Sequence, residues 1–282
     1  SIQALNFAFE KGINFFDTSN IYGDGHAEEL LGEVFQKKRD KVVITTKVGF
    51  VKHGGPHNVS PDYIRNCLIE SLRRLKTDYV DLLQFHSIPL EMIEKEPECL
   101  ETMKELKKEG KIRAIGYSVK NPEDALVAIE KYHVDVVQVN FNMIDQRIIS
   151  LGVLEKARDF GAGIIARTPL AFGFLSDSIT DLNFNERDHR SSWPMEQLKK
   201  WKSAPKAFAF INSSGIYTPV QFALKFCISF PEISTVIPGT FHIKEVEENV
   251  VTSVLPNFTE EQLELIKKVN NENTFFILHT GK

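Results

Sequence analysis

Short apolar runs rich in β-branched residues alternate with amphipathic stretches along nearly the whole chain. The runs that read as strands are residues 13–16, 42–47, 79–86, 112–117, 134–139, 163–167 and 234–238. Helical spacing of apolar positions covers 2–11, 27–36, 61–75, 98–109, 122–131, 151–160, 219–229, 244–251 and 260–269. Ser60-Pro61, Asn121-Pro122 and Thr218-Pro219 each set a capping side chain before a proline. That pairing predicts a helix start at each position.

Strands alternating with helices predict βαβ units and a parallel sheet. The runs are apolar on both faces, as a sheet covered by helices requires. With 282 residues and no polar linker, a (β/α)8 TIM barrel filling 1–282 as one domain fits better than two open sheets. A doubly wound sheet is the structural alternative. Seven strands are one short of a barrel, and the chain opens in a helical segment, so a first strand is expected upstream of Ser1. Residues 169–201 form the longest stretch without clear periodicity and are expected to be a βα loop on the active face, a lid or binding loop. Residues 49–60, with Gly54-Gly55, read as a second loop. The apolar tail 274–278 is expected to pack on the barrel or overhang the site.

Composition narrows the function. The chain is 42% hydrophobic and 26% charged, ordinary for a globular protein. Its net charge of -4, from 34 basic and 38 acidic residues, offers no footprint for nucleic acid and no polybasic membrane patch. No apolar run approaches the roughly 20 residues of a membrane span. Cys67, Cys99 and Cys227 are far apart and form no CxxC, which predicts free thiols and a reduced, cytoplasmic compartment. The sequons at Asn58, Asn212 and Asn257 read as chance matches. A monomer or small homo-oligomer acting on a small molecule is expected.

The chemistry concentrates in four residues. Lys47 ends the run VVITTK, Asp17 and Tyr22 lie in FFDTSNIYG, and His86 ends YVDLLQFH. Three strand tips and a tyrosine just beyond the first can meet at one rim of a parallel barrel. A tyrosine is a poor acid at neutral pH, with an unperturbed pKa of about 10. A nearby ammonium favours its phenolate, and a carboxylate keeps that ammonium charged and in place. The set reads as a general acid, its tuner, its anchor, and a histidine that orients a polar substrate group. A lysine at the end of an apolar strand is costly unless paired, and Asp17 is placed to be its partner.

DTSNIYG, TTK and LLQFH, in that order, resemble the aldo-keto reductase family. The resemblance extends through GKIRAIGYS, VDVVQVNFN, IARTPLAFGFLS, IPGT and EVEEN, nearly the whole chain. It implies a (β/α)8 barrel that binds a nicotinamide cofactor, NADPH or NADH, and reduces an aldehyde or ketone. It implies that Tyr22 donates the proton, Lys47 makes that proton easier to give, Asp17 holds Lys47, and His86 orients the carbonyl. Ser118 and Gln138 match residues that hold the nicotinamide carboxamide, with Asn140 a nearby candidate. Arg167 stands where many relatives have an aromatic ring under the nicotinamide. A planar guanidinium also stacks on rings, and a rim salt bridge is the structural alternative. Thr168, Leu170 and Gly173 fit the loop over the pyrophosphate.

Gly239, Thr240, Glu248 and Asn249 match the adenosine end, but basic residues of NADPH-preferring relatives are replaced here by Gly239, Phe241 and Glu245. Family habit points to NADPH. The carboxylate of Glu245 points to NADH, because it would repel a 2′-phosphate and accept a hydrogen bond from a free ribose hydroxyl. His242 and Lys244 lie close enough to restore positive charge.

The remaining motifs are negative or bland. Gly23-Asp24-Gly25 begins a dinucleotide fingerprint that fails at Glu28. Glu28 and Glu29 read as acidic residues charging a helix start. No metal-ligand spacing occurs among the histidines, and His53 and His57 read as exposed loop residues. Aromatic walls are expected from Tyr22, Phe50, Phe172 and Trp193, suited to an apolar, aromatic or sugar-like carbonyl compound. Two alternatives stay open: a Schiff-base aldolase using Lys47, and a non-catalytic cofactor-binding regulatory subunit of the same fold.

Overall fold

The computed structural model describes residues 2–52, 54–186, 188–240 and 242–277. The chain begins with α1 (Ile2–Glu10), then alternates β1 (Phe15–Asp17), α2 (His26–Phe35), β2 (Val43–Val48), α3 (Pro61–Leu75) and β3 (Val80–His86). Next come α4 (Leu90–Lys95), α5 (Glu98–Lys108), β4 (Ile112–Ser118), α6 (Glu123–Glu130) and β5 (Val136–Asn140). Then follow α7 (Arg147–Ser150), α8 (Val153–Phe160), β6 (Gly163–Arg167), α9 (Met195–Ser203) and α10 (Pro205–Phe208). The chain continues through α11 (Pro219–Ile228), β7 (Ile233–Ile237), α12 (Ile243–Val251) and α13 (Glu260–Glu272).

All seven strands pair in parallel and in chain order, β1 to β7. This is the (β/α)8 TIM-barrel arrangement with seven strands described. Among the described residues no ladder joins β1 to β7. The helical layer nevertheless crosses that seam, because α1 packs on α2 and on α12. Alternation along each strand sorts the side chains. Ile44, Leu83, Phe85, Tyr117, Val137 and Ile164 are fully buried, and they alternate with the inward-facing polar positions.

The end of the barrel where strands begin is clamped by one buried carboxylate. Asp81 accepts from Arg39 Nη2 at 2.6 Å, Arg113 Nη1 at 2.9 Å and the Ile44 N–H at 2.9 Å. It ties β2, β3 and β4 together far from the strand tips. Gly116 solves a different problem. A Cβ there would lie 2.8 Å from Gln84 Cγ and 2.9 Å from Leu82 Cδ1. Glycine leaves the room in which Gln84 crosses the barrel interior.

The structure refines the sequence reading at several elements. Asn121 does not cap a helix; Pro122 precedes α6, and Asn121 Nδ2 donates to Asp124 instead. Thr218 does cap, accepting from the Gln221 N–H at 3.2 Å, whereas Ser60 occupies the cap position without a side-chain bond. Glu28 does lie in the first turn of α2, as expected, but it also has distant partners. It is fully buried, accepts from Thr46 Oγ1 at 2.5 Å and pairs with Arg74 Nε at 2.7 Å. The 169–201 stretch is not all loop, since α9 begins within it and buries the apolar side chains of Leu198 and Trp201. Those two anchors, three residues apart, are too few to give a periodic signal.

The tail packs on the barrel side of α9. Gln197 donates to the Phe275 carbonyl at 2.7 Å and accepts from the Ile277 N–H at 2.7 Å. Leu278, like His53 and Phe241, lies outside the described residues. All three cysteines are free. No described helix is long and apolar enough to cross a membrane.

Gly32 sets the approach of α2 to α3. A Cβ at this position would stand 2.8 Å from the Leu75 carbonyl carbon. Gly32→Ala is expected to cost about 1–3 kcal/mol through overpacking, read as a lower urea midpoint. An unchanged midpoint would show that the two helices separate freely.

Candidate active site

Laterally paired residues in a sheet share a face. The register sets Lys47 beside Gln84, Gln84 beside Gly116, and His86 beside Ser118. It also sets Ser118 beside Gln138, and Asn140 beside Arg167. Polar residues from β1 to β6 therefore converge at the ends of the strands, inside the barrel mouth.

At the centre lies an ion pair. Lys47 Nζ donates to Asp17 Oδ2 and, at 2.8 Å, to the Thr18 carbonyl. Side-chain exposure is 1% for Lys47 and 9% for Asp17, so this charge is screened little by water. The second Asp17 oxygen accepts from Gln138 Nε2 at 2.8 Å and Gln84 Nε2 at 3.4 Å. Gln84 Nε2 also donates to Thr45 Oγ1 at 2.8 Å.

Tyr22 follows β1 in a turn closed by its own N–H to the Ser19 carbonyl at 3.1 Å. It is 37% exposed, the open member of the set. Lys47 Nζ stands 5.1 Å from its ring centroid, and His86 meets it edge-on at 5.8 Å. His86 Nδ1 is 3.1 Å from Ser19 Oγ, and Phe50 packs against the His86 ring at 5.1 Å. The four residues expected to act together are thus together.

The residues expected at the nicotinamide end form a connected chain. Gln138 donates to Asp17 and accepts from Ser118 Oγ at 3.2 Å. Arg167 donates to Ser118 Oγ at 2.8 Å, to Asn140 Oδ1 at 2.7 Å and to the Val119 carbonyl at 2.6 Å. Thr168 Oγ1 donates to Asn140 Oδ1 at 3.1 Å. Arg167 makes no salt bridge among the described residues. Burial lowers its pKa below the usual guanidinium value, with Tyr22 and Asp17 opposing that shift from a distance.

After β6 the backbone turns sharply. Thr168, Ala171, Phe172 and Gly173 all have positive φ, from 45° to 94°. Leu170 anchors this turn through carbonyl bonds from the Gly173 and Leu175 N–H groups. Turns of this kind offer to anions the N–H groups they do not spend internally, and here those of Ala171, Gly173, Phe174 and Leu175 are spent within the turn. At the other expected end, Asn249 Nδ2 donates to Thr240 Oγ1 at 3.1 Å. Glu248 accepts from Thr218 Oγ1 at 2.5 Å. Glu245 caps α12, accepting from the His242 N–H at 3.0 Å. Among the described residues, nothing lies within 4 Å of where a Cβ on Gly239 would sit.

These groups fit a dinucleotide. There are polar tips for an amide, a positive-φ turn for a diphosphate, and an open glycine beside a helix start. No cluster of metal-ligating side chains occurs among the described residues.

The expected aromatic wall is split. Tyr22, Phe50 and His86 gather at the ion pair, and His57 joins them by stacking on Phe50 at 4.2 Å. His57 is half-buried rather than an exposed loop residue, and burial, then Lys120, lowers its pKa. Phe172 and Trp193 instead pack on each other at 4.6 Å and line a cavity of about 230 Å³ with Asn140, Thr168 and Phe276.

Sequence reasoning missed Gln84 and Ser19, and it placed His57 on an exposed loop. Gln84 was legible, since it lies two residues before His86 and so on the same strand face. Ser19 lay inside DTSN without a distinguishing signal.

The ion pair generates a stability prediction. Asp17→Asn leaves a buried ammonium without its counter-charge and is expected to cost about 3–5 kcal/mol. Adding Lys47→Met should recover much of that loss in urea unfolding. A single variant as stable as the wild type would refute the pairing.

Comparison with known proteins places the chain in a family. The sequence model described as "Aldo/keto reductase family" matches residues 1–271. The chain is 31% identical over 264 residues to "Probable aldo-keto reductase 1" of Glycine max, covering 88% of this chain and 73% of that one. It is 29% identical over 259 residues to "L-galactose dehydrogenase" of Arabidopsis thaliana, covering 89% and 76%. In fold it is similar to the glycerol dehydrogenase structure from Gluconobacter oxydans, with TM-score 0.81, 24% identity, and coverage of 100% and 88%. On the family match and the first of these relatives, the chain belongs to the aldo/keto reductase family of nicotinamide-dependent oxidoreductases.

Proposed function

We propose that this protein reduces an aldehyde or ketone to an alcohol with NADPH or NADH, or runs the reverse oxidation, with Tyr22 as the proton donor. One observation carries the reading: an ammonium held by Asp17 lies 5.1 Å from the ring of an exposed tyrosine that His86 meets edge-on.

A bound nicotinamide supplies the hydride to the carbonyl carbon. As charge grows on the carbonyl oxygen, the Tyr22 hydroxyl gives it a proton. Lys47 stabilises the phenolate left behind, and Asp17 keeps Lys47 charged and in place. When the Ser19 hydroxyl donates to His86 Nδ1, the proton of the neutral imidazole sits on Nε2, the nitrogen that would donate to the same carbonyl oxygen. Tyr22 and His86 then form a two-donor oxygen site.

Ser118, Gln138, Asn140 and Arg167 would hold the nicotinamide end. Thr168, Leu170 and Gly173 would hold the pyrophosphate. Gly239, Thr240, Glu245, Glu248 and Asn249 would meet the adenosine end. The wall of Tyr22 and Phe50 suits a flat aromatic carbonyl or the C–H face of a sugar. The relative named L-galactose dehydrogenase supports the sugar-like choice. Lys47 is poorly placed as a Schiff-base nucleophile, because its Nζ is held by Asp17 and the Thr18 carbonyl.

Fluorescence titration with NADPH and NADH, followed by turnover on a panel of sugar-like and aromatic aldehydes and ketones, tests the reading. Binding of at least one cofactor with its oxidation by a panel member is expected. Glu245→Arg is expected to raise the preference for NADPH over NADH by roughly ten-fold through the changed charge. Binding of neither cofactor, or trapping of a substrate adduct on Lys47 by borohydride, would overturn it.

A further inference from the structure

Among the described residues, Arg167 is the one charge in the connected polar chain that lacks a counter-charge. Lys47 and Asp17 cancel each other. Asp145, whose charge Arg167 feels at a distance, is paired in two bonds of 2.8 Å with Arg147. Among the described residues, the acceptors of Arg167 are a hydroxyl, an amide oxygen and a backbone carbonyl, all neutral. These bonds use three of the five guanidinium N–H groups. They also fix the cation against Ser118 and Asn140, so it cannot swing away from the strand tips. A fixed, partly buried and uncompensated positive charge therefore belongs to the place where the proposed cofactor changes charge.

The ring of a reduced nicotinamide is neutral, and that of the oxidised form carries one positive charge. We propose that Arg167 makes the site discriminate between the redox states of its cofactor, binding the reduced form more tightly than the oxidised form. The inference rests on the proposed nicotinamide reading of Ser118, Gln138 and Asn140. An aromatic residue at this position would offer a stacking face and no such field. Arg167 is on this account a specificity-determining residue: it retains the hydride donor and speeds loss of the spent cofactor, favouring carbonyl reduction over alcohol oxidation. Repulsion between two unit charges several ångströms apart in a partly screened site is on the order of ten-fold in relative affinity. Ten-fold corresponds to about 30 mV for a two-electron couple.

The test is equilibrium titration of the full chain with NADPH, NADP+, NADH and NAD+, in the wild type, Arg167→Gln and Arg167→Lys. The wild type should bind the reduced form of its cofactor roughly ten-fold or more tighter than the oxidised form. Arg167→Gln should lose most of that ratio, mainly by tighter relative binding of the oxidised form. Arg167→Lys, which keeps the charge, should retain it. An Arg167→Gln variant that weakens both forms equally would make Arg167 a strut and overturn the inference, leaving the reductase reading intact. A wild type without redox preference would overturn it without any variant. Binding of neither redox form would overturn the inference and the proposed function together.

Discussion

A charged amine cannot sit in a barrel core unless something fixed meets it, and Lys47 sits there with 1% side-chain exposure. Asp17 is the answer, and much of the local architecture serves Asp17 in turn. Its two oxygens accept from Lys47, Gln138 and Gln84, side chains of three different strands. Gln84 reaches it because Gly116 has no side chain. Strand register and the glycine on β4 therefore share a common reason, the need to solvate one carboxylate without water.

The same logic separates the two ends of the barrel. At the strand starts, Asp81 gathers two arginines and a backbone N–H, and it closes the structure. At the strand ends, the polar chain from Lys47 to Thr168 crosses β2, β1, β5, β4 and β6 before reaching the turn. One end holds a carboxylate enclosed by its partners. The other retains an exposed tyrosine and a guanidinium with unspent donors, features of a surface that receives a ligand.

Much of this was legible in the sequence for a simple reason. Buried parallel strands are apolar on both faces, so a polar residue at a strand tip stands out, as Asp17, Lys47 and His86 do. Residues 61–75 and 163–167 read correctly because proline or glycine marks their ends. What stayed hidden depends on partners distant in sequence. Glu28 reads as a helix-start charge, but its partners Thr46 and Arg74 lie far along the chain. α9 has only Leu198 and Trp201 as buried apolar side chains, so its helical period is faint. Arg167 could have stacked or formed a rim salt bridge on sequence grounds, and its hold on Ser118 and Asn140 appears only when β4, β5 and β6 lie side by side.

The central claim is that Tyr22 gives the proton while Lys47 and Asp17 make that possible. Single-turnover hydride transfer in Tyr22→Phe, with cofactor affinity measured on the same samples, tests it most directly. The account predicts a transfer rate lower by roughly 10²–10⁴-fold, the range of a lost general acid, with cofactor affinity nearly unchanged. A rate close to wild type would contradict it.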